Sequence, residues 1–214
     1  MVALVKAVVI GATLPARCAA GMGGGGAASA ISSNSGPQHR TMTDMNTTDI
    51  LSDAFDRIPG IARSTVDGLS TEGLGYRPDA DANSIAWLLW HLTRVQDHHV
   101  SQLANRDQAY LEQGWAERLG REPDPNDIGY GHTPAQVGAV RFDNPDDVLA
   151  YLDAVQARTM EYVRRADEDE LGRIVDTRWD PPVTAGVRLV SVIGDCLQHL
   201  GQASYVRGLW DRRG

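Results

Sequence analysis

Three polar side chains interrupt two otherwise apolar stretches. In "SIAWLLWHLTRVQDHH", residues 84–99, His91 sits among Trp87, Leu88, Leu89, Trp90 and Leu92. A buried imidazole needs partners for both ring nitrogens, so His91 is either a satisfied core residue or it holds something. In "GDCLQHLGQASYVRG", from Gly194 to Gly208, Asp195 and His199 are four residues apart. On a helix that spacing puts both side chains on one face, one turn apart. Such a pair can ligate one divalent metal, or it can hydrogen-bond across the turn. Adding His91 from a second helix gives two nitrogens and one oxygen. Zinc, nickel or iron accepts that set, with positions left for water or substrate. A water or thiol on such an ion loses its proton more readily. The residues alone leave two readings open: a metal centre, or a buried polar network that fixes helix register.

Several neighbours could serve either reading. His98, seven residues past His91, shares its face and is a fourth ligand or a polar rim residue. Gln202 continues the stripe Val192, Asp195, His199, Val206. Arg94, Arg188 and Arg207 are cations for an anionic ligand or plain surface charges. Tyr205 offers a hydroxyl or fills a core or interface. His132 lies in a glycine-rich loop, overhanging a pocket or facing solvent. His99 and Asp97 read as solvated or capping residues. Cys196 falls off the ligand stripe and reads as a small core residue. There is no compelling Ser-His-Asp arrangement and no glycine-rich phosphate loop after a strand. Attack by a metal-bound water remains an open variant.

Four long segments with helical period must position these groups. The first spans about Thr48 to Leu69, with Leu51, Phe55, Ile58, Ala62, Val66 and Leu69 in phase and Pro59 as a kink or a late start. "TEGLGYRPDAD" then reads as a loop. The second is capped by Asn83 and ends near Arg106. From about Asp107 to Asn144 the pattern weakens. "QAYLEQGWAERLG" predicts one short helix, and "TPAQVGAVRF" another, with Thr133 as cap and Pro134 at its first position. The third long helix is capped by Asn144, with Pro145, Asp146 and Asp147 in its first turn, where the helix dipole favours the acids. "RWDPPVTAG" breaks the chain, and the fourth helix runs from about Thr184 to Trp210. With no convincing strand pattern, the expectation is an all-α four-helix bundle with a long crossover between helices two and three.

Composition bounds the partners. The chain has 214 residues, 42% hydrophobic and 22% charged, which suits one soluble domain. The net charge of -8, from 20 basic and 28 acidic residues, argues against nucleic acid and anionic membranes as partners. Two cysteines, Cys18 and Cys196, exclude a thiolate zinc knot, and no bridge is expected between them. A reduced, cytoplasmic protein is expected, with no membrane span. Residues 1–44 stand apart. They read as a disordered extension, a weak signal-like segment or a start codon assigned too early, with Met42 or Met45 as the natural start. Residues 45–214 form the bundle domain.

The pieces "LSDAFDRIPG", "NSIAWLLWHLTRVQDHHV", "GYGHTPAQV", "YLDAVQARTMEYV" and "GVRLVSVIGDCLQHLGQASYVRG" resemble, in order, the DinB-like superfamily of small four-helix proteins. More closely the chain resembles its actinobacterial branch, related to mycothiol-dependent transferases. The resemblance covers nearly everything past Met45. It implies a DinB-like bundle and a divalent metal, which the family usually holds with three histidines. Those on the second helix and at the end of the pair on the fourth correspond to His91 and His199. The remaining position is Asp195, a departure that makes the site a one-carboxylate variant or a degraded one. The resemblance further implies a low-molecular-weight thiol such as mycothiol, transferred to an electrophilic substrate, and a homodimer. The alternatives are a metal-dependent hydrolase, or a non-catalytic metal- or ligand-binding bundle of a stress response.

Overall fold

A computed structural model describes residues 45–213. The expectations for residues 1–44 lie outside the described residues. Four long helices form the frame: α1 (Thr47–Val66), α3 (Ile85–Leu103), α7 (Pro145–Arg165) and α9 (Ala185–Asp211). Short helices lie between them: α2 (Thr71–Leu74), α4 (Ala109–Glu112), α5 (Trp115–Arg118), α6 (Pro134–Gly138) and α8 (Glu168–Gly172). Two short strands, β1 (Ile174–Asp176) and β2 (Val183–Thr184), pair antiparallel just before α9. The expected all-α DinB-like bundle with a long crossover is what forms.

The caps follow the local chemistry. Asn46 opens α1 with a capping box closed by Asp49. Thr133 and Pro134 open α6, Asn144 and Pro145 open α7, and Thr184 caps α9. Pro59 lies inside α1, so it marks no late start. Some boundaries differ from expectation. Ser84, not Asn83, caps α3, its hydroxyl accepting from Trp87 N at 3.1 Å. Helix α3 stops at Leu103 and α1 at Val66, each three residues early. The loop after α1 contains α2. The single helix expected in "QAYLEQGWAERLG" is split in two at Gly114, whose φ of +70° no helix tolerates.

The four helices pack as a closed square. The neighbours are α3 with α9, α9 with α1, α1 with α7, and α7 with α3. Cross-helix bonds give the directions. Cys196 Sγ meets Leu92 O and Arg188 meets His99, so α3 and α9 are antiparallel. Tyr151 meets Asp97 and Arg106 meets Glu161, so α3 and α7 run parallel. Parallel neighbours cannot be joined by a tight turn. The chain must travel back along the bundle, a distance of about 30 Å for helices of this length. That return is the crossover, residues 104–144.

The crossover lies against the side of α3 that α7 and α9 leave open. Every residue from Ser84 to Asp97 is therefore buried, polar ones included. This corrects the expectation for Asp97. It is 2% exposed, and it accepts from the amides of Ala109 (2.9 Å) and Tyr110 (2.8 Å) and from the Tyr151 hydroxyl (2.8 Å). A capping role survives, but it is buried and acts on α4. The core beneath is apolar, built on Phe55, Ile58, Leu89, Trp90, Leu92, Leu152, Leu189 and Leu200. No helix among the described residues is long and apolar enough to cross a membrane.

Candidate metal centre

The antiparallel packing of α3 on α9 brings His91 opposite Asp195 and His199. One ligand atom from each lies within 4.8 Å of the others. The two imidazole centroids are 4.7 Å apart at 78°. Around a single zinc, with bonds near 2.1 Å, ligand atoms sit about 3.4 Å apart, so small side-chain rotations close the set.

His91 is committed to one tautomer by a backbone carbonyl, which can only accept, and the Gln202 amide oxygen favours the same tautomer at His199. His91 Nδ1 donates to the backbone carbonyl of Ile128, and His199 Nδ1 donates to Gln202 Oε1 at 3.0 Å. Both Nε2 lone pairs are thereby left for the shared space, as metal-binding histidines require. The Asp195 side chain is 15% exposed, and its Oδ1 lies 3.6 Å from His199 Nε2, beyond hydrogen-bond length. Its other oxygen, Oδ2, is buried without a hydrogen-bond partner. Buried carboxylate oxygens without a donor are rare and costly. A divalent cation bound by His91, Asp195 and His199 supplies what that oxygen lacks, so the residues present fit the metal.

Electrostatics agree at His91. Burial, opposed by the Asp195 charge, holds the His91 pKa down to about 4, so this imidazole is neutral and available as a ligand near pH 7. Burial also lowers His199, but the Asp195 carboxylate outweighs it and the net shift is upward. Trp87 walls the site, stacked on His91 at 4.6 Å and edge-on to His199 at 6.3 Å. Cys196 points away, its thiol buried and pushed well up, as befits a small core residue.

The other candidates are scattered. Arg94 is 0% exposed, and its guanidinium is committed to the crossover: Nε to Asp127 O (3.1 Å), and Nη2 to Asp124 O (3.3 Å) and Pro125 O (3.2 Å). It grips the chain instead of facing the three ligand atoms. His98 is half-buried and bonds Pro125 O and Gln108. Gln202 orients His199. Tyr205 is 65% exposed; six residues past His199 it sits about 120° around the helix. Arg207 ties the end of α1 to α9 through Thr65 O (3.0 Å), Asp67 O (2.8 Å) and Asp211. Arg188 bonds His99 (3.2 Å) and Asp176 (3.2 Å), two turns from Asp195. His132 overhangs the tryptophans, accepting from Trp87 Nε1 at 3.1 Å and stacking on Trp90.

The partner of His91 was not visible in the sequence. A backbone carbonyl has no residue signature, so Ile128 could be found only through the flanking "GYGH". Gly129 and Gly131 there adopt φ of +85° and +76°, the sharp turns that glycine permits.

Comparison with known proteins follows the same line. The solved structure of a conserved protein from Enterococcus faecalis superposes with a TM-score of 0.72 at 33% identity, covering 77% of this chain and 97% of that one. No curated protein matches. The family model described as mycothiol-S-transferase matches residues 50–212, which include all four long helices almost in full and every member of the His91–Asp195–His199 set. This chain belongs to the mycothiol-S-transferase family.

Proposed function

We propose that this protein is a divalent-metal-dependent transferase that uses a low-molecular-weight thiol, mycothiol or a relative, on an electrophilic carbon. The observation that carries the reading is the convergence of His91 and His199, the former's tautomer set by a backbone carbonyl, on a carboxylate with an unpartnered oxygen. Membership of the mycothiol-S-transferase family supports mycothiol as the thiol. When bound, a zinc or nickel ion would supply the positive charge that favours the thiol's deprotonated, nucleophilic form. The chain's own groups do the rest. His91 and His199 each present an imidazole Nε2, and Asp195 contributes one negative charge. Ile128 O and Gln202 keep the two rings from turning, and Trp87 excludes water from one side. Of the remaining candidate ligand-binding residues, Gln202 touches this set directly, through His199 Nδ1. A homodimer and a cytoplasmic setting complete the proposal.

The test is metal content by elemental mass spectrometry on untagged protein, against His91→Ala and His199→Ala. About one zinc or nickel per chain, lost in both variants, is expected. The loaded protein should then consume mycothiol in the presence of an electrophile. No metal even after soaking with zinc or nickel would refute the reading.

A further inference from the structure

The crossover segment 124–132 is built onto the back of His91 more tightly than joining two helices requires. Ile128 O holds His91 Nδ1. At Gly129, with φ +85°, an added Cβ would come 3.0 Å from His91 Nδ1, 3.0 Å from the Trp90 ring and 3.1 Å from the Trp87 ring. At that distance the neighbours must give by a few tenths of an ångström, and the positive φ strains any side chain there whatever the space. Asp127 fixes the same turn from the other side. Its Oδ1 accepts from Gly129 N (3.2 Å) and from His132 Nε2 (2.8 Å), and its Oδ2 pairs with Arg121 (3.2 Å). Arg94, three residues past His91 on the same helix, holds the carbonyls of Asp124, Pro125 and Asp127.

We infer that Asp127, Gly129 and Arg94 are positioning residues that set metal affinity by holding the Ile128 carbonyl against His91. The inference rests on the metal reading above, and it concerns residues that touch no metal themselves. Neutral imidazole has two tautomers, and only the Nδ1–H form offers Nε2 to the shared space. The carbonyl selects that form before any ion arrives. It also fixes the ring plane, so that Nε2 need not be aimed at the moment of binding. Backbone and carboxylate partners of metal-binding histidines typically govern affinity by about 10- to 100-fold.

The variants are Asp127→Asn, nearly isosteric, and Gly129→Ala, which must displace the turn or the ring. Arg94→Met is a third, but removing a buried cation threatens folding itself. Val140→Ala, in the buried part of the crossover beyond α6, is the control: it removes buried volume from the same segment outside residues 124–132. Two readouts are needed. Zinc affinity is measured by chelator competition on folded protein. The His91 tautomer is measured in zinc-free protein by ¹⁵N chemical shifts. Wild type should show the Nδ1–H form. Asp127→Asn and Gly129→Ala should mix the tautomers and weaken zinc by about 10- to 100-fold, with Val140→Ala unchanged in both. Unchanged tautomer and zinc affinity in the two folded variants would overturn the inference, as would an Nε2–H tautomer in wild type. Equal weakening in Val140→Ala would assign the effect to general loosening and also overturn it. If wild type bound no zinc, the metal reading would fail, and the tautomer measurement would still decide whether the crossover positions His91.

Discussion

Asp195 should make the metal-free protein less stable than it could be. Its Oδ2 is buried without a partner, and its Oδ1 stops 3.6 Å short of His199 Nε2. An unsatisfied buried polar atom costs about 1–3 kcal/mol, and the charge puts this one toward the upper part of that range. Asp195→Asn removes the charge and adds an amide that can donate to the free His199 Nε2. In the presence of a chelator at pH 8, the variant should therefore gain about 1–2 kcal/mol. For a domain of this size that raises Tm by about 2–8 °C. Adding zinc should reverse the order. Wild type should gain about 4 kcal/mol at a thousand times its Kd, whereas the variant, with a poorer ligand, gains little. Differential scanning calorimetry of both proteins, with chelator and with zinc, reads all four values. A chelated variant no more stable than wild type would show that Oδ2 is not strained. Equal stabilisation of both by zinc would show that Asp195 is not part of the metal set.

Two further outcomes follow from burial. The chelated wild-type protein should lose stability as pH falls from about 6.5 to about 4. His91 and His99 are both held down to about 4, His91 chiefly by burial and His99 by burial and then by Arg188. Unfolded imidazoles titrate near 6.5, so in that window the unfolded chain binds more protons. The stability is complete above the window, and His91 alone contributes a slope of up to about 1.4 kcal/mol per pH unit within it. Urea midpoints flat from pH 7 to pH 5 would contradict this. Separately, Tyr151→Phe removes a donor to buried Asp97 and an acceptor for buried Arg94. It should cost about 1–3 kcal/mol in urea unfolding, with metal content unchanged. A neutral result would mean that Asp97 is satisfied without it.

The candidate metal set was legible in part from helical spacing, which left a metal centre and a polar network both open. Asp195 and His199 share a face by being four apart, and His91 stands out as a polar residue in an apolar run. Caps such as Asn144 and Thr133 were legible for the same local reason. What failed was local reading of a helix whose environment is not local. His99 and Asp97 looked solvated because α3 was taken to have an outer side. The crossover covers that side, so Asp97 became a buried acceptor and Arg94 a buried donor to loop carbonyls. The β1–β2 hairpin escaped notice because strands of three and two residues carry no periodicity. The Ile128 carbonyl, which fixes His91, is backbone and leaves no trace in the side-chain pattern.

The square of helices also constrains how the chain comes off the ribosome. Helix α9 is made after α1, α3 and α7, yet it packs between α1 and α3 and supplies two of the three converging groups. Without α9, the arrangement of α1, α3 and α7 would be an open trough. The apolar side chains of α1 and α3 that receive Leu189, Val192, Cys196 and Leu200 would face solvent there. A nascent chain that has reached residue 184 is thus sticky along one whole side, which is the kind of surface that holding chaperones recognise. It also cannot assemble the metal set, because His91 waits alone against the crossover for partners about a hundred residues further along the sequence.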